Sequence, residues 1–247
     1  MKVIYDPALF DAIPGLCVGI LAIRAADNHE VNLEAEAFRR RCCTETNLLL
    51  KMNPAMADAE IKQYKDALAL LGIEGRPALE VLFENYKKEL GIEEKKEAEA
   101  EAEENLEILS LPKAANLDEL AGSDVLPRIN PLMDIIRAGM LKFHVDIHGY
   151  DMNDRTAPLH IHQKDGGWTV SLGNDTATCG WYCKDGTAAA VTENSEDPLI
   201  LITGFAQNRK KVAAARNELA RRMKSAFDRS VEVGWIEGKD HEFISAL

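Results

Sequence analysis

The sequence lacks any apolar run long enough to cross a membrane, since such a helix needs about 18 to 20 consecutive apolar residues. Its longest apolar stretch, 13–23, is interrupted by Pro14, Gly15 and Gly19 and predicts a buried strand. That stretch begins too far along the chain for a signal peptide and has no basic leader before it. We therefore expect a cytoplasmic protein without a membrane partner.

Cysteine is also scarce, with five residues in a chain of 247. An odd number without a secretion signal argues against a disulfide framework and for a reducing compartment. Cys42 and Cys43 fall within a predicted helix, where we expect them to be buried packing residues and not reactive thiols.

The familiar catalytic and nucleotide-binding motifs are missing. The sequence contains no G-x-S-x-G nucleophile elbow, no P-loop and no dinucleotide-binding glycine pattern. These absences predict a protein without a bound cofactor. If it is an enzyme, its site has few conspicuous catalytic residues.

The net charge of −12 argues against broad, non-specific binding of nucleic acid, and we expect no DNA partner. The charge is unevenly distributed, because 92–107 is strongly acidic and 208–230 is strongly basic. An RNA partner therefore stays open. The Ala/Glu run within the acidic part has no apolar face, so about 92–124 is expected to be an insertion or linker.

Helices and strands are predicted in separate parts of the chain, which indicates an α+β protein, read as one domain over 1–247. Apolar residues at helical spacing predict helices over 31–51, from Pro54, over 77–91, from Pro131 and over 208–228. Strands are expected at the amino terminus, at 17–24, in hairpins over 159–172 and 178–192, at 198–205 as a buried central strand and at 231–238, followed by a weak tail.

Five stretches in this order resemble the editing module of the phenylalanyl-tRNA synthetase beta subunit, and resemble even more its free-standing relatives, the B3/B4-domain proteins. They are YKDALALLGI (64–73), RPALEVL (76–82), INPLMD (129–134), GYD (149–151) and CKDGT (183–187) before an apolar strand. The resemblance covers roughly 5–228. It implies a β-sandwich-like core of unusual topology carrying helices, and a cleft that hydrolyses tyrosine wrongly attached to the phenylalanine tRNA.

The resemblance also implies roles for single residues. His148 falls on a histidine in a tight His-Gly-Tyr-Asp turn, which lines the editing pocket and helps hold the terminal adenosine. The expected substrate-binding residues are Asn130, Asp134, Tyr150, Asp151 and Trp181. Asn130 is also a natural helix cap, Asp151 could simply tie down the turn, and Trp181 has the size of a core residue.

Ester hydrolysis suits a sequence with few catalytic motifs. An aminoacyl ester is already activated, so the protein must mainly position a water about 3 Å from the carbonyl and donors near the developing oxyanion. His148 is the predicted positioner or proton relay, because imidazole has a pKa of about 6.5. The leading hypothesis is therefore a trans-acting hydrolase of mischarged aminoacyl-tRNA.

Three departures from the family keep a second hypothesis open. Arg137 replaces a usual Asn, Cys179-Gly180 replaces an Arg-Arg pair, and no stretch matches the glutamate of the synthetase site. A binding module that keeps the fold and recognises an amino acid, RNA or protein without catalysis would tolerate these changes.

The last predicted helix offers a surface for tRNA phosphates, although a solvated basic face is the simpler interpretation. Its candidate RNA-binding residues are Arg209, Lys210, Lys211, Arg216, Arg221 and Arg222. The candidate ligands of a zinc site are His144, His148, His160 and His162 together with Cys179 and Cys183. No second cysteine pair follows at ligand distance, so we predict no metal.

Overall fold

The computed structural model describes residues 1–29, 31–69, 77–92, 125–153, 156–164, 167–173, 175–178 and 189–246. The helices are α1 Pro7–Ala12, α2 Leu33–Met52, α3 Pro54–Ala69, α4 Ala78–Glu89, α5 Pro131–Phe143 and α6 Arg209–Phe227. The strands are β1 Lys2–Tyr5, β2 Cys17–Ile23, β3 Asp146–Asp151, β4 Leu159–Lys164, β5 Gly167–Leu172, β6 Asp175–Thr178, β7 Pro198–Gly204, β8 Val231–Glu237 and β9 Glu242–Ile244.

Side-chain caps fix the starts of several helices. The Asn130 carboxamide oxygen accepts a hydrogen bond from the Met133 amide, and Pro131 occupies the first turn, as the sequence predicted. Asn32 caps α2 in the same way. These local contacts explain why the predicted helix starts agree with the structure to within about two residues.

The strands form two sheets. The five-stranded sheet has the order β6-β5-β4-β1-β9, in which only β1 and β4 run parallel. The four-stranded sheet is antiparallel throughout, with the order β3-β7-β2-β8. The apolar strand β7 is therefore central in its sheet, as predicted.

Alternate residues of β2 point into two different cores, which shows that the molecule has three layers. Val18 and Ile20 lie in the apolar core between the sheets, whereas Cys17 and Leu21 face the core formed with the helices. The helices α2, α4, α5 and α6 cover that outer face of the four-stranded sheet. The structure is thus α+β with two packed sheets, and the B3/B4 assignment stays a prediction.

The predicted tight turn at His148-Gly149-Tyr150-Asp151 is wrong. These residues belong to β3, which pairs with β7 over its whole length. The chain reverses earlier, at His144, whose backbone is left-handed with φ 53°. Gly149 serves close packing, since a Cβ there would lie 2.9 Å from side-chain atoms of Ile136 and Val191.

The carboxyl-terminal tail and one further strand also differ from expectation. The supposedly weak tail forms β9 on the edge of β1, and β6 was not predicted. The residues 93–124 of the predicted insertion, and most of the second hairpin, lie outside the described part of the chain. Among the described residues, no helix is long and apolar enough to span a membrane.

Candidate functional site

The carboxyl end of α5 carries a partly buried cluster of titratable side chains, in which His144 is buried and Glu60 and Lys211 are half-exposed. The Nδ1–H of His144 donates to Oε2 of Glu60 over 2.5 Å, and the Lys211 ammonium donates to the other carboxylate oxygen over 2.5 Å. Glu60 lies on α3, His144 caps α5 and Lys211 lies on α6. One carboxylate therefore joins three helices.

The electrostatics of this cluster follow from burial and from the contacts. Burial lowers the pKa of His144 below its ordinary value, although the hydrogen bond to Glu60 opposes the shift. Burial alone would raise the pKa of Glu60, but hydrogen bonds from Lys211 and His144 outweigh it and lower that pKa. Near neutral pH the cluster thus holds a neutral imidazole between the ring of Phe83 and an ionised carboxylate.

A second histidine–carboxylate pair lies close by. The Nε2–H of His148 donates to Oδ2 of Asp146 over 2.8 Å. The same carboxylate accepts hydrogen bonds from the Tyr64 hydroxyl at 3.2 Å and the Leu79 amide at 3.1 Å. Asp146 is fully buried, so these donors replace the water that the carboxylate loses on folding.

Helix α3 connects the two histidine pairs, because Glu60 and Tyr64 are four residues apart and share a helix face. Both line a cavity of about 80 Å³, together with His144, Lys211 and Phe205. His144 and Lys211 also border a second cavity of about 240 Å³, whose apolar walls come from Leu49, Met56, Leu141 and Phe143. We name these the small cavity and the large cavity.

Asn130 and Asp134 lie at the opposite end of α5, which is about 20 Å long. They line a separate depression of about 370 Å³ together with His29 and Arg128. Helix α5 packs against the sheet face that carries Ile147, whereas alternation along β3 places His148 on the other face. The structure therefore does not bring these two residues together with His148.

Asp134 and Asn130 are both used by the fold at that end of the helix. Asp134 accepts a hydrogen bond from the Ile129 amide at 3.0 Å and lies 3.9 Å from Nε of the buried Arg39. Burial raises the pKa of Asp134, and the hydrogen bond and nearby arginines only partly oppose the shift. Asn130 caps the helix, in agreement with the simpler of its two interpretations.

The remaining residues of the predicted substrate site have different surroundings. Tyr150 is buried in the core between the sheets. Asp151 accepts a hydrogen bond from the Asn153 amide at 2.9 Å, which is the local contact expected of a residue that ties down a turn. Trp181 lies outside the described residues.

Arg209 and Arg216 on α6 both contact strand β8. Arg209 forms a bidentate pair with Glu237, with Nη2 2.8 Å from Oε2. The guanidinium groups of Arg209 and Arg216 both stack on Trp235, at 5.2 and 5.3 Å from the ring centroid. These two arginines hold β8 against the helix.

Other basic residues of α6 also have acidic partners. Arg221 and Arg222 share Glu218, while Lys211 contacts Glu60 as described above. Lys210 is exposed and forms no ion pair with any residue that the structure describes. Four of the six candidate RNA-binding residues thus form ion pairs with carboxylates within the chain.

The histidines weighed as zinc ligands occupy different surfaces. His160 and His162 stack with ring centroids 4.7 Å apart on one face of β4, and His162 contacts Ser171. His144 and His148 lie at the end of α5 and on β3. Over the described ranges, no group of three His, Cys, Asp or Glu side chains could hold a metal ion. Cys179 and Cys183 fall outside those ranges.

Sequence reasoning missed Glu60 and Tyr64 as site residues and considered His144 only as a metal ligand. Their spacing of four on α3 was visible, but the partner of Glu60 is 151 residues away on α6. His144 follows the last residue of a predicted helix, where a left-handed cap is a common feature. No family model matches the chain, and no curated protein matches it either.

Proposed function

We propose that this protein is a trans-editing hydrolase that clears mischarged aminoacyl-tRNA, such as tyrosine on the phenylalanine tRNA. Besides the resemblance, one observation supports the proposal. The hydrogen-bonded chain from His148 through Asp146 to Tyr64 ends at the small cavity, and Lys211 borders the same cavity. His148 and Lys211, which the sequence predicts for different roles, are therefore linked through Asp146 and Tyr64 to one cavity.

The groups around this cavity suit ester hydrolysis. An ammonium group such as that of Lys211 can stabilise the negative charge that develops on a carbonyl oxygen. Tyr64 has a hydroxyl held by a buried carboxylate, so its position is fixed before a substrate arrives. Lys210, exposed one residue before Lys211, is available for a phosphate of the acceptor stem.

Deacylation of tyrosyl-tRNA bearing the phenylalanine tRNA tests the proposal directly. We expect wild type to release tyrosine, and His148→Ala to lose about a hundredfold in rate, because it removes the residue that positions Asp146 and, through it, Tyr64. His160→Ala is the matched control, because it removes an imidazole from a different sheet. A wild-type protein that is folded and inactive on every mischarged tRNA of a panel would overturn the proposal.

A non-catalytic binding module is the second candidate, and two observations favour it. The Nε2 of His148 already bonds to Asp146, and most basic residues of α6 already have acidic partners. Binding of tRNA measured from 50 to 300 mM salt separates the hydrolase from a binder of small molecules or proteins, and the deacylation assay separates it from a non-catalytic RNA binder. A protein that neutralises several phosphates shows a steep fall of affinity with salt, whereas a binder of small molecules or proteins does not bind the tRNA in this manner.

A further inference from the structure

We propose that Glu60 and His144 form the base dyad of the site, with Nε2 of His144 accepting the proton of a water that attacks an ester carbonyl. The acyl group of that ester would occupy the large cavity. This inference rests on the proposed hydrolase function. It assigns the proton-accepting role to a histidine other than His148.

The hydrogen bonds of His144 determine which ring nitrogen is available. Because Nδ1–H donates to Glu60, the neutral ring keeps its lone pair on Nε2. Nε2 has no hydrogen-bond partner among the residues that the structure describes, and it is not fully enclosed by protein atoms. It is therefore open to the cavities that His144 lines. In the other pair, Nε2 of His148 is the nitrogen already bonded to Asp146.

The ring of His144 is held from three directions. Its backbone amide donates to the Met140 carbonyl in a left-handed cap with φ 53°, a conformation uncommon for residues other than glycine. Phe83 contacts the ring edge-on, with centroids 5.2 Å apart and planes at 85°. Glu60 fixes the rotation of the ring. The imidazole is therefore buried and fixed in orientation, as a pre-positioned reactive group requires.

The charged groups facing the imidazole suit a base that works near neutral pH. Glu60 approaches from α3 and Lys211 from α6, and Lys142 with its partner Glu45 lies at the rim of the large cavity. Burial favours the neutral ring, while the Glu60 carboxylate stabilises the imidazolium that forms when the proton arrives. Lys211 can stabilise the oxyanion on the same side.

The large cavity has walls that fit an apolar or aromatic acyl group. Leu49, Met56, Leu141 and Phe143 form its apolar walls, and its polar lining consists of Thr46, His144 and the charged residues at the rim. In the proposed step, the water oxygen bonds to the ester carbon and its proton moves to Nε2. The carbon–oxygen bond to the ribose then breaks, and the imidazolium returns the proton to the ribose oxygen. The products are a free amino acid and an uncharged tRNA.

Single-turnover deacylation of tyrosyl-tRNA bearing the phenylalanine tRNA tests the dyad in the variants His144→Asn and Glu60→Gln. Asparagine tolerates the left-handed backbone of residue 144 and removes the base. We expect His144→Asn to lose at least about a hundredfold in rate. The control His160→Ala keeps the wild-type rate. A folded His144→Asn variant that deacylates as fast as wild type overturns the inference and leaves the proposed function standing.

The pH profile distinguishes an oriented base from a structural contact. The wild-type rate should rise with pH and level off below about pH 6.5, the ordinary pKa of histidine, because the active form is the neutral ring. Glu60→Gln removes the charge that favours the imidazolium, so its plateau should be lower and should begin at a lower pH. If His144→Asn fails to fold, the pH profiles of wild type and Glu60→Gln test the dyad. A Glu60→Gln profile with the same midpoint pH as wild type overturns the inference.

A wild-type protein that deacylates no tRNA would overturn the proposed function, but it would not show whether Glu60 and His144 act as a base dyad. Hydrolysis of 4-nitrophenyl acetate and 4-nitrophenyl butyrate then serves as the second measurement. Slower hydrolysis by His144→Asn than by wild type and His160→Ala supports the dyad. Equal rates, or no hydrolysis above the uncatalysed rate by wild type, overturn it.

Discussion

Tyr64 and Asp146 are joined by a hydrogen bond of 3.2 Å although 82 residues separate them in the chain. The bond ties α3 to the first residue of β3, and the amide of Leu79 ties the start of α4 to the other oxygen of the same carboxylate. Asp146 is thus the point at which two helices are fixed to the edge of the four-stranded sheet.

This relationship predicts two stability losses of different size. Tyr64→Phe removes one donor from a carboxylate that keeps two others, and we expect a loss of about 1 kcal/mol in the free energy of unfolding. Asp146→Asn should cost roughly 2 to 3 kcal/mol, because the amide nitrogen must then face a buried donor. Urea unfolding of both variants beside wild type measures the difference. Equal losses would contradict the account.

The cluster around His144 predicts a pH-dependent stability. Because burial lowers the pKa of His144 in the folded state, the unfolded chain takes up a proton first as the pH falls. Stability is then full above about pH 6.5 and is lost toward the lower folded pKa, with a slope of at most about 1.4 kcal/mol per pH unit. Urea unfolding between pH 7.5 and 5 should show this decline in wild type.

The variant His144→Asn should reduce that decline. Burial also lowers the pKa of His160, so His160→Ala should remove a separate part of it. Glu60 adds a separate loss at lower pH, since its folded pKa is itself lowered and its contribution disappears only as the carboxylate protonates. A decline of the same slope in His144→Asn would show that another group is responsible.

Close packing behind β3 predicts that Gly149→Ala is destabilising. The added methyl would lie 2.9 Å from Ile136 Cδ1 and from Val191 Cγ2, so these side chains must move. We expect a loss of about 1 to 3 kcal/mol, which is typical of overpacking. Ile136→Val removes one of the two contacted atoms, so the double variant should regain part of that loss. Strictly additive effects would rule out this contact as the cause.

The buried pair at the other end of α5 predicts a coupling between Arg39 and Asp134. Arg39→Met leaves the Asp134 carboxylate without its nearest cation and removes the donor to the Leu126 carbonyl, so we expect a loss of about 3 kcal/mol. Asp134→Asn combined with Arg39→Met should restore part of it, because the uncompensated charge is gone. A double-mutant cycle in urea measures the coupling, and a coupling energy near zero would contradict it.

Local signals explain the parts of the fold that the sequence predicted. The Asn130-Pro131 start of α5 depends on residues three positions apart, and the strands β2 and β7 are continuous apolar runs. Strand β3 carries no such signal. Two of its inward residues, Asp146 and His148, are polar. They bond to each other, and the further partners of Asp146 come from α3 and α4. A polar stretch with a central glycine therefore looked like a turn.

The candidate site was harder to predict, because its contacts join distant segments. The sequence predicts His148 and Lys211 as functional residues. It does not predict Glu60 and Tyr64, which lie between them, because their contacts form only when α3 packs against α5 and α6. The alternation of β3 also separates His148 from Asn130, which a linear motif cannot reveal.

The sheet order determines when the nascent chain can fold. Strand β2 lies between β7 and β8, and β1 lies between β4 and β9. During translation the earliest strands have no neighbour until residues 159–164 and then 198–237 have emerged from the ribosome. Contacts of such long sequence separation slow folding and leave unpaired edges exposed. We expect the nascent chain to need chaperones and to complete the four-stranded sheet only after synthesis has passed β8, and the five-stranded sheet only after it has passed β9.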